Sequence, residues 1–209
     1  MSLYLSRLIL NANHPQAKSE AMHPYELHRT ICKAFENPEE ARILFRADAD
    51  RPGEVHVIVQ SLVAPEWDRV IAKDGYITDK DEPKQVELTG LRAGLPLRFR
   101  LRCRPSKRVG EPGSPDVGKR KSLKDKDEIF DWLHRKGEES GFEVKDVGFD
   151  RVYWYESREG KQEKPLGAVQ FDGVLIVTDP DKLREAVRNG IGPQKAYGFG
   201  LLSLAPLDS

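Results

Sequence analysis

One order of hydrophobic periods runs through this chain twice, and it constrains the fold more than any other feature. Leu3 to Leu10 reads as a mostly buried strand, and Asn11 to Ala21 as polar loop. Pro24 to Phe35 carries Tyr25, Leu27, Ile31, Ala34 and Phe35 at mixed three- and four-residue spacing. That is an amphipathic helix, with Pro24 suited to its first turn. Ile43 to Arg46 and Val55 to Leu62 read as strands. The second sets Val55, Val57 and Val59 against His56, Ile58 and Gln60. Pro65 to Ala72 predicts a short helix and Gln85 to Leu88 one more strand.

The same order then returns. Leu95 to Arg104 alternates Leu97, Phe99, Leu101 and Cys103 against four arginines, a strand with one wet, basic face. Arg104 to Lys124 reads as a long loop. Asp125 to Lys136 is a helix with Ile129, Phe130, Leu133 and Trp132 inward. Phe142 to Val147, Val152 to Tyr155 and Val169 to Val177 are strands, with Glu156 to Pro165 as a hairpin tip. Asp179-Pro180 opens a helix through Val187, Asn189-Gly190 stops it, and Leu201 to Leu204 ends the sheet. The two series predict an α+β fold of two tandem ferredoxin-like (βαββαβ, RRM-like) domains, 1–91 and 92–209. The 209 residues are enough to build either core.

No apolar run approaches the ~20 residues needed to cross a bilayer, and the N-terminus has no secretory pattern. Cys32 and Cys103 lie far apart without metal-type spacing, so a reducing cytoplasm is expected and a membrane partner is not. Formal charge balances, 34 basic against 34 acidic residues. The balance hides an asymmetry. Between Leu97 and Asp125 ten Lys and Arg face only Glu111 and Asp116. Such a block is the footprint of a polyanion partner, or else a solvated loop with charged strand edges.

Near the C-terminus Gly190, Gly192, Gly198 and Gly200 surround Lys195, and an apolar run follows. Glycine lets a backbone turn with φ > 0 and lie flat against a partner. Successive N–H groups in such a turn can cradle phosphate; a plain surface turn has the same composition. The P-loop spacing is absent. The segment precedes a strand and opens no helix, which excludes a dinucleotide fingerprint.

These residues carry a resemblance. Leu3-Tyr4-Leu5-Ser6-Arg7, Pro24-Tyr25-Glu26-Leu27-His28-Arg29, Leu97 to Arg102, Phe171-Asp172-Gly173, and Gly190-Ile191-Gly192-Pro193 through Gly198-Phe199-Gly200-Leu201-Leu202-Ser203 together resemble the CRISPR-associated endoribonucleases of the CasE type. The resemblance covers essentially the whole chain. It implies tandem ferredoxin-like domains and metal-independent cleavage of CRISPR repeat hairpin RNA. It further implies no cofactor, and as partners the repeat RNA, the mature guide RNA and the other subunits of a Cascade-like complex. It matches His28 to the family's Tyr-x-x-His and leaves His23 outside that match.

The chemistry is arguable apart from the family. Tyr25 and His28 sit three apart and share a helix face; Lys33 follows five residues after His28. RNA is cleaved when its 2′-OH attacks the adjacent phosphate. That needs a base, an acid for the leaving 5′-oxygen, and positive charge on the phosphorane. Histidine fills either proton-transfer role, lysine supplies charge, and a phenol, ionising far above neutral pH, positions by hydrogen bonds. Tyr25, His28 and Lys33 are the catalytic candidates, although each residue type also occurs as ordinary packing or surface. His14, His23, His56 and His134 are expected to be structural or solvated.

No metal site is expected. Asp48 and Asp50 are close, but Asp125, Asp127 and Glu128 cluster at a helix start, where acids favour the dipole. A non-catalytic RNA-binding subunit is the alternative, although the aromatic pairs of an RRM are missing. RNA-binding candidates are Lys107, Arg108, Lys119, Arg120 and Lys121, then Arg158 and Lys161 at the hairpin tip, then Gly190, Gly192, Lys195, Gly198 and Gly200.

Overall fold

The structure is a computed structural model and describes residues 2–70, 75–108, 110, 118–159 and 162–207. Its elements follow in chain order. The first series is β1 (Ser2–Asn11), α1 (Pro15–Met22), α2 (Pro24–Cys32), α3 (Pro38–Ala41), β2 (Leu44–Arg51) and β3 (Glu54–Ser61), then a 3₁₀ turn (Trp67–Arg69), β4 (Ile77–Lys80) and β5 (Lys84–Glu87). The second is β6 (Pro96–Cys103), β7 (Ser106–Arg108), β8 (Arg120–Ser122), α4 (Lys126–Glu139), β9 (Phe142–Glu159), β10 (Gln162–Val177) and α5 (Pro180–Asn189), then a 3₁₀ turn (Lys195–Tyr197) and β11 (Leu202–Pro206).

Helices and antiparallel sheets are mixed. The first sheet runs β2-β3-β1-β4, with β5 on the same edge of β1 as β4. The second runs β11-β6-β10-β9. Two cores follow from this layout. Leu27, Ile31 and Ala34 pack with Leu8, Leu10, Phe45, Val57 and Val59 in one. Ile129, Trp132, Leu133, Leu183 and Val187 pack with Leu97, Phe99, Leu101, Phe171 and Leu175 in the other. The alternating apolar face of β6 is therefore the core face, as its period of two demands. Among the described residues no helix is long and apolar enough to cross a membrane.

Four expectations are corrected. The polar stretch Asn11 to Ala21 holds a helix, α1. Its signal is not an apolar stripe but a start: Pro15 at the first position and His14 Nδ1 accepting the Gln16 N–H at 3.2 Å. The helix is tied down by Glu20, only 4% exposed, which accepts hydrogen bonds from Thr30, Gln16 and Tyr76. The long basic loop contains a two-stranded ribbon, β7 with β8. The strands expected at Phe142 to Val147 and Val152 to Tyr155 are one strand, β9, paired with β10 over its length.

The fourth correction matters most. The arginine face of β6 is wet only in part: Arg98 is exposed and Arg100 part-buried, but Arg102 is covered. Arg102 is 5% exposed and reaches across to β2, donating to Asp48 Oδ1 at 2.6 Å, to the Ala47 carbonyl at 2.6 Å and to Gln170 at 2.7 Å. Arg46 completes the cluster, donating to Asp48 Oδ2 at 2.8 Å and to Ser203 Oγ at 2.7 Å. Arg100 pairs with Asp172 at 2.5 Å. Two guanidiniums share the Asp48 carboxylate because a buried charge must be paired and hydrogen-bonded. This clamp docks the two sheets.

Candidate active site

Helix α2 begins beside the first core and leaves one side of its first two turns uncovered. Leu27 and Ile31 point inward, while Tyr25 is 47% exposed. Tyr25 and His28 therefore share the outer face, with ring centroids 6.1 Å apart. His28 is half-buried. Its imidazole lies parallel to the Phe45 ring, 5.9 Å between centroids and 6° between planes. Cys32, one turn on, brings Sγ to 3.7 Å from Nε2 and 3.9 Å from Nδ1. Burial lowers the His28 pKa and raises that of the Cys32 thiol.

Lys33 caps the C-terminal end of α2 and is exposed. Among the described residues its ammonium has no ion-pair partner. Three of the other histidines are engaged elsewhere or solvated. His14 caps α1 and stands edge-on to Tyr76, and His56 pairs with Glu54 at 2.7 Å. His134 is exposed on α4. His23 occupies the N-cap of α2 without a side-chain cap bond, and among the described residues its buried Nδ1 has no partner.

The glycine segment meets this helix from the other sheet. The turn Lys195–Tyr197 packs on α2, and the Tyr197 ring lies 5.8 Å from that of Tyr25. All four expected glycines have positive φ: Gly190 +71, Gly192 +85, Gly198 +76 and Gly200 +92. Their close neighbours are protein atoms. A Cβ at Gly190 would stand 2.9 Å from a Leu44 methyl, at Gly198 3.1 Å from the Phe45 ring, and at Gly200 2.9 Å from the Ile191 carbonyl. The N–H groups of Gly190, Gly198 and Gly200 are donated to Ala186, Lys195 and Arg102 carbonyls. The expected phosphate cradle of glycine N–H groups is therefore not formed by these three; they serve close packing. Positive charge at this turn comes from Lys195, whose pKa is lowered by burial and by repulsion from Arg42. Two cations held together in this way favour an anion between or beside them.

Part of the basic set meets the same turn. Lys107, Arg108, Arg120 and Lys195 line one open cavity of about 630 Å³. Arg135, Lys136 and Trp132 of α4, and Gly192 with Pro193, complete its wall. Sequence reading missed Arg135 and Lys136, which pair with Glu139 on the helix. The helical spacing of Trp132 and Lys136 was the available signal, because it carries Lys136 to the same wall as the buried Trp132. On the ribbon Lys107 lies opposite Lys121, and Arg108 opposite Arg120. Like charges directly across a strand pair repel. Lys107 has a carboxylate in reach, Glu128 at 2.5 Å. Lys121 is exposed on β8 and Lys119 just before it, and neither lines the cavity. Arg158 belongs to β9, its side chain outside the described part, and Lys161 lies outside the described residues.

Among the described residues no three His, Cys, Asp or Glu side chains are grouped to hold a metal ion. Asp48 is taken by two arginines, and Asp125 accepts the N–H groups of Asp127 and Glu128 as a helix cap. The site as described thus offers an imidazole, two phenols and a row of cations. That set can move protons and bind a phosphodiester.

Comparison with known proteins shows the family. Residues 3–206 match the family described as CRISPR associated protein. The CRISPR-associated endoribonuclease Cse3 of Thermus thermophilus is 36% identical over 222 residues, covering 98% of this chain and 100% of the relative. The CRISPR system Cascade subunit CasE of Escherichia coli is 34% identical over 216 residues, again covering 98% and 100%. The structure of Thermus thermophilus Cse3 bound to an RNA representing a pre-cleavage complex superposes with a TM-score of 0.87 at 35% identity, covering 99% of this chain and 100% of that one.

Proposed function

This chain belongs to the CRISPR-associated protein family, and on that premise we propose that it is an endoribonuclease that cleaves CRISPR repeat hairpin RNA into mature guide RNA. Its partners are that RNA and the other subunits of a Cascade-like complex. The observation that carries this is the position of one turn. Lys195 lines the basic cavity, and Tyr197, two residues on, faces Tyr25 beside His28. A backbone whose phosphates lie along Lys107, Arg108, Arg120, Arg135, Lys136 and Lys195 is led to Tyr25 and His28.

The reaction follows from the residues present. A base takes the proton of the 2′-OH, and the 2′-oxygen attacks the adjacent phosphorus. The bond to the 5′-oxygen breaks and an acid gives that oxygen a proton. The products are a 2′,3′-cyclic phosphate and a 5′-hydroxyl, with no water or metal consumed. His28 fills one proton-transfer role, Tyr25 orients the phosphate or ribose by hydrogen bonding, and Lys33 stabilises the phosphorane charge. The strand orders β2-β3-β1-β4 and β11-β6-β10-β9, each sheet packed with its own helices, support two tandem ferredoxin-like domains, 1–91 and 92–209.

The test is incubation with a repeat hairpin RNA in EDTA, with a single 2′-deoxy nucleotide before the scissile phosphate as control. Cleavage is expected to survive chelation and to vanish with the 2′-deoxy substrate. A strict Mg²⁺ requirement would sink the mechanism. Tight binding without cleavage would leave a non-catalytic RNA-binding subunit.

A further inference from the structure

We infer that Phe45 is a positioning residue for the cleavage reaction, the plate against which the His28 imidazole is set, and that Gly198 is the residue whose missing Cβ lets the plate lie there. The inference rests on the reading of His28 as the proton-transfer group. Three elements distant in sequence meet at one ring. His28 comes from α2, Phe45 from β2, and Gly198 from the loop before β11. Phe45 is 1% exposed and stacks on His28 with only 6° between planes. Gly198, at φ +76, approaches the same ring so closely that a Cβ would stand 3.1 Å from it. The plate is thus held by helix and loop together.

Physical chemistry says why such a plate matters. Proton transfer needs the ring nitrogen within about 2.6–3.2 Å of its partner. An imidazole on an open helix face turns about two side-chain bonds. A parallel wall removes the rotamers that cross it, and Cys32 at the ring edge limits rotation within the plane. The wall also keeps water from one face of the ring, which favours the neutral form. Titratable and charged groups on the elements that meet there include Tyr25, Arg29 and Cys32 on α2, Lys195 and Tyr197 on the turn, and the mutually paired Arg46 and Asp48 on β2. Arg29 is already paired with Glu26 at 3.1 Å. Burial is the cause that lowers the His28 pKa.

The experiment compares Phe45→Leu and Gly198→Ala with the parent and with His28→Ala, using full-length protein and repeat hairpin RNA. Thermal melts report folding and equilibrium titration reports affinity. Single-turnover rates at saturating enzyme report chemistry, and imidazole NMR across pH reports the ring. Phe45→Leu is expected to fold and bind within a few-fold of the parent. It should cleave on the order of 10- to 100-fold more slowly, the span a small misplacement costs. Its His28 midpoint should rise toward the ordinary value. Gly198→Ala should act in the same direction through the displaced ring, and the two rate losses should be less than additive when combined. Folded variants with parental rate and parental His28 titration would overturn the inference. So would unfolding of both, since the packing would then serve the core alone. Parental cleavage by His28→Ala would instead overturn the catalytic reading itself, which separates the two failures.

Discussion

Tyr25 and Tyr197 face each other across the junction of the two sheets, 5.8 Å between ring centroids and 35° between planes. One is carried by the second helix of the chain, α2, and the other by a turn more than 170 residues later. Neither sheet holds the site alone. The buried contact of Arg102 with Asp48 and Ala47, and of Arg46 with Ser203, keeps the two sheets in the register that brings the tyrosines together. Docking, basic cavity and the Tyr25–His28 face are thus parts of one arrangement.

His28→Ala is expected to lose ~10²–10⁴-fold in single-turnover cleavage, the span of a lost general acid or base, while hairpin affinity changes little. Tyr25→Phe keeps the ring against Tyr197 and should be milder. His23→Ala should be near neutral, since His23 sits at the helix cap and outside the Tyr25–His28 pair. Equal loss of binding and cleavage in His28→Ala would make His28 a binding residue.

The lowered pKa of His28 sets two pH effects. In the single-turnover profile, the limb that belongs to His28 should have its midpoint below the ordinary ~6.5. In stability, the unfolded chain takes up the His28 proton first as pH falls. Between ~6.5 and the lowered folded value the unfolded state binds more protons, so stability drops as pH drops through that window. Melting temperatures measured from about pH 7.5 to about pH 5 should fall more steeply for the parent than for His28→Ala. Equal slopes would show that His28 is not held neutral.

Much of this was legible in the sequence and some was not, for identifiable reasons. The core face of β6 and the helix carrying Tyr25 and His28 were readable because burial leaves a period of 2 or about 3.6. Helix α1 was not, because its anchors are polar: His14 at the cap and Glu20 under Tyr76 and Thr30. Arg102 of β6 read as solvated, like the exposed Arg98, because periodicity reports which face is polar, not what covers it. Here Asp48 of the other sheet covers Arg102. The glycines near Lys195 announced close approach correctly, but the sequence does not say whether protein or ligand makes it.

The ribbon tests binding apart from chemistry. Neutralising Arg120 and Lys121 should weaken hairpin affinity and flatten its salt dependence. The slope of log K against log salt should shrink by about 0.7–0.9 for each phosphate no longer neutralised. Removing Lys121 also relieves its repulsion with Lys107, and removing Arg120 that with Arg108. The free protein should therefore melt no lower than the parent, even as its affinity falls. Arg135 and Lys136, on the same cavity wall, should behave alike toward RNA. Single-turnover cleavage at saturating enzyme should be nearly unchanged in all of them. A variant that binds normally but cleaves slowly would place the ribbon at the reacting phosphate instead.

Valine at Gly198 or Gly200 separates a packing role from a phosphate-binding one. Both positions have φ in the left-handed region, +76 and +92, where a β-branched residue is strained by about 1–3 kcal/mol. Space is refused as well. At Gly200 the obstacle is the Ile191 carbonyl, a backbone atom that cannot turn aside, and at Gly198 it is the Phe45 ring. Both N–H groups are already donated within the protein, that of Gly198 to the Lys195 carbonyl and that of Gly200 to the Arg102 carbonyl. The expected outcome is a lowered melting temperature for both variants, with cleavage impaired through the displaced turn and ring. Gly192→Ala is the contrast, because its Cβ would meet Trp132 at an ordinary 3.5 Å and only the φ of +85 is penalised. It should be the mildest of the three in melting temperature. If instead Gly198→Val and Gly200→Val melt like the parent and lose only RNA affinity, the backbone approach made at this loop is to phosphate, and the packing account of these glycines fails.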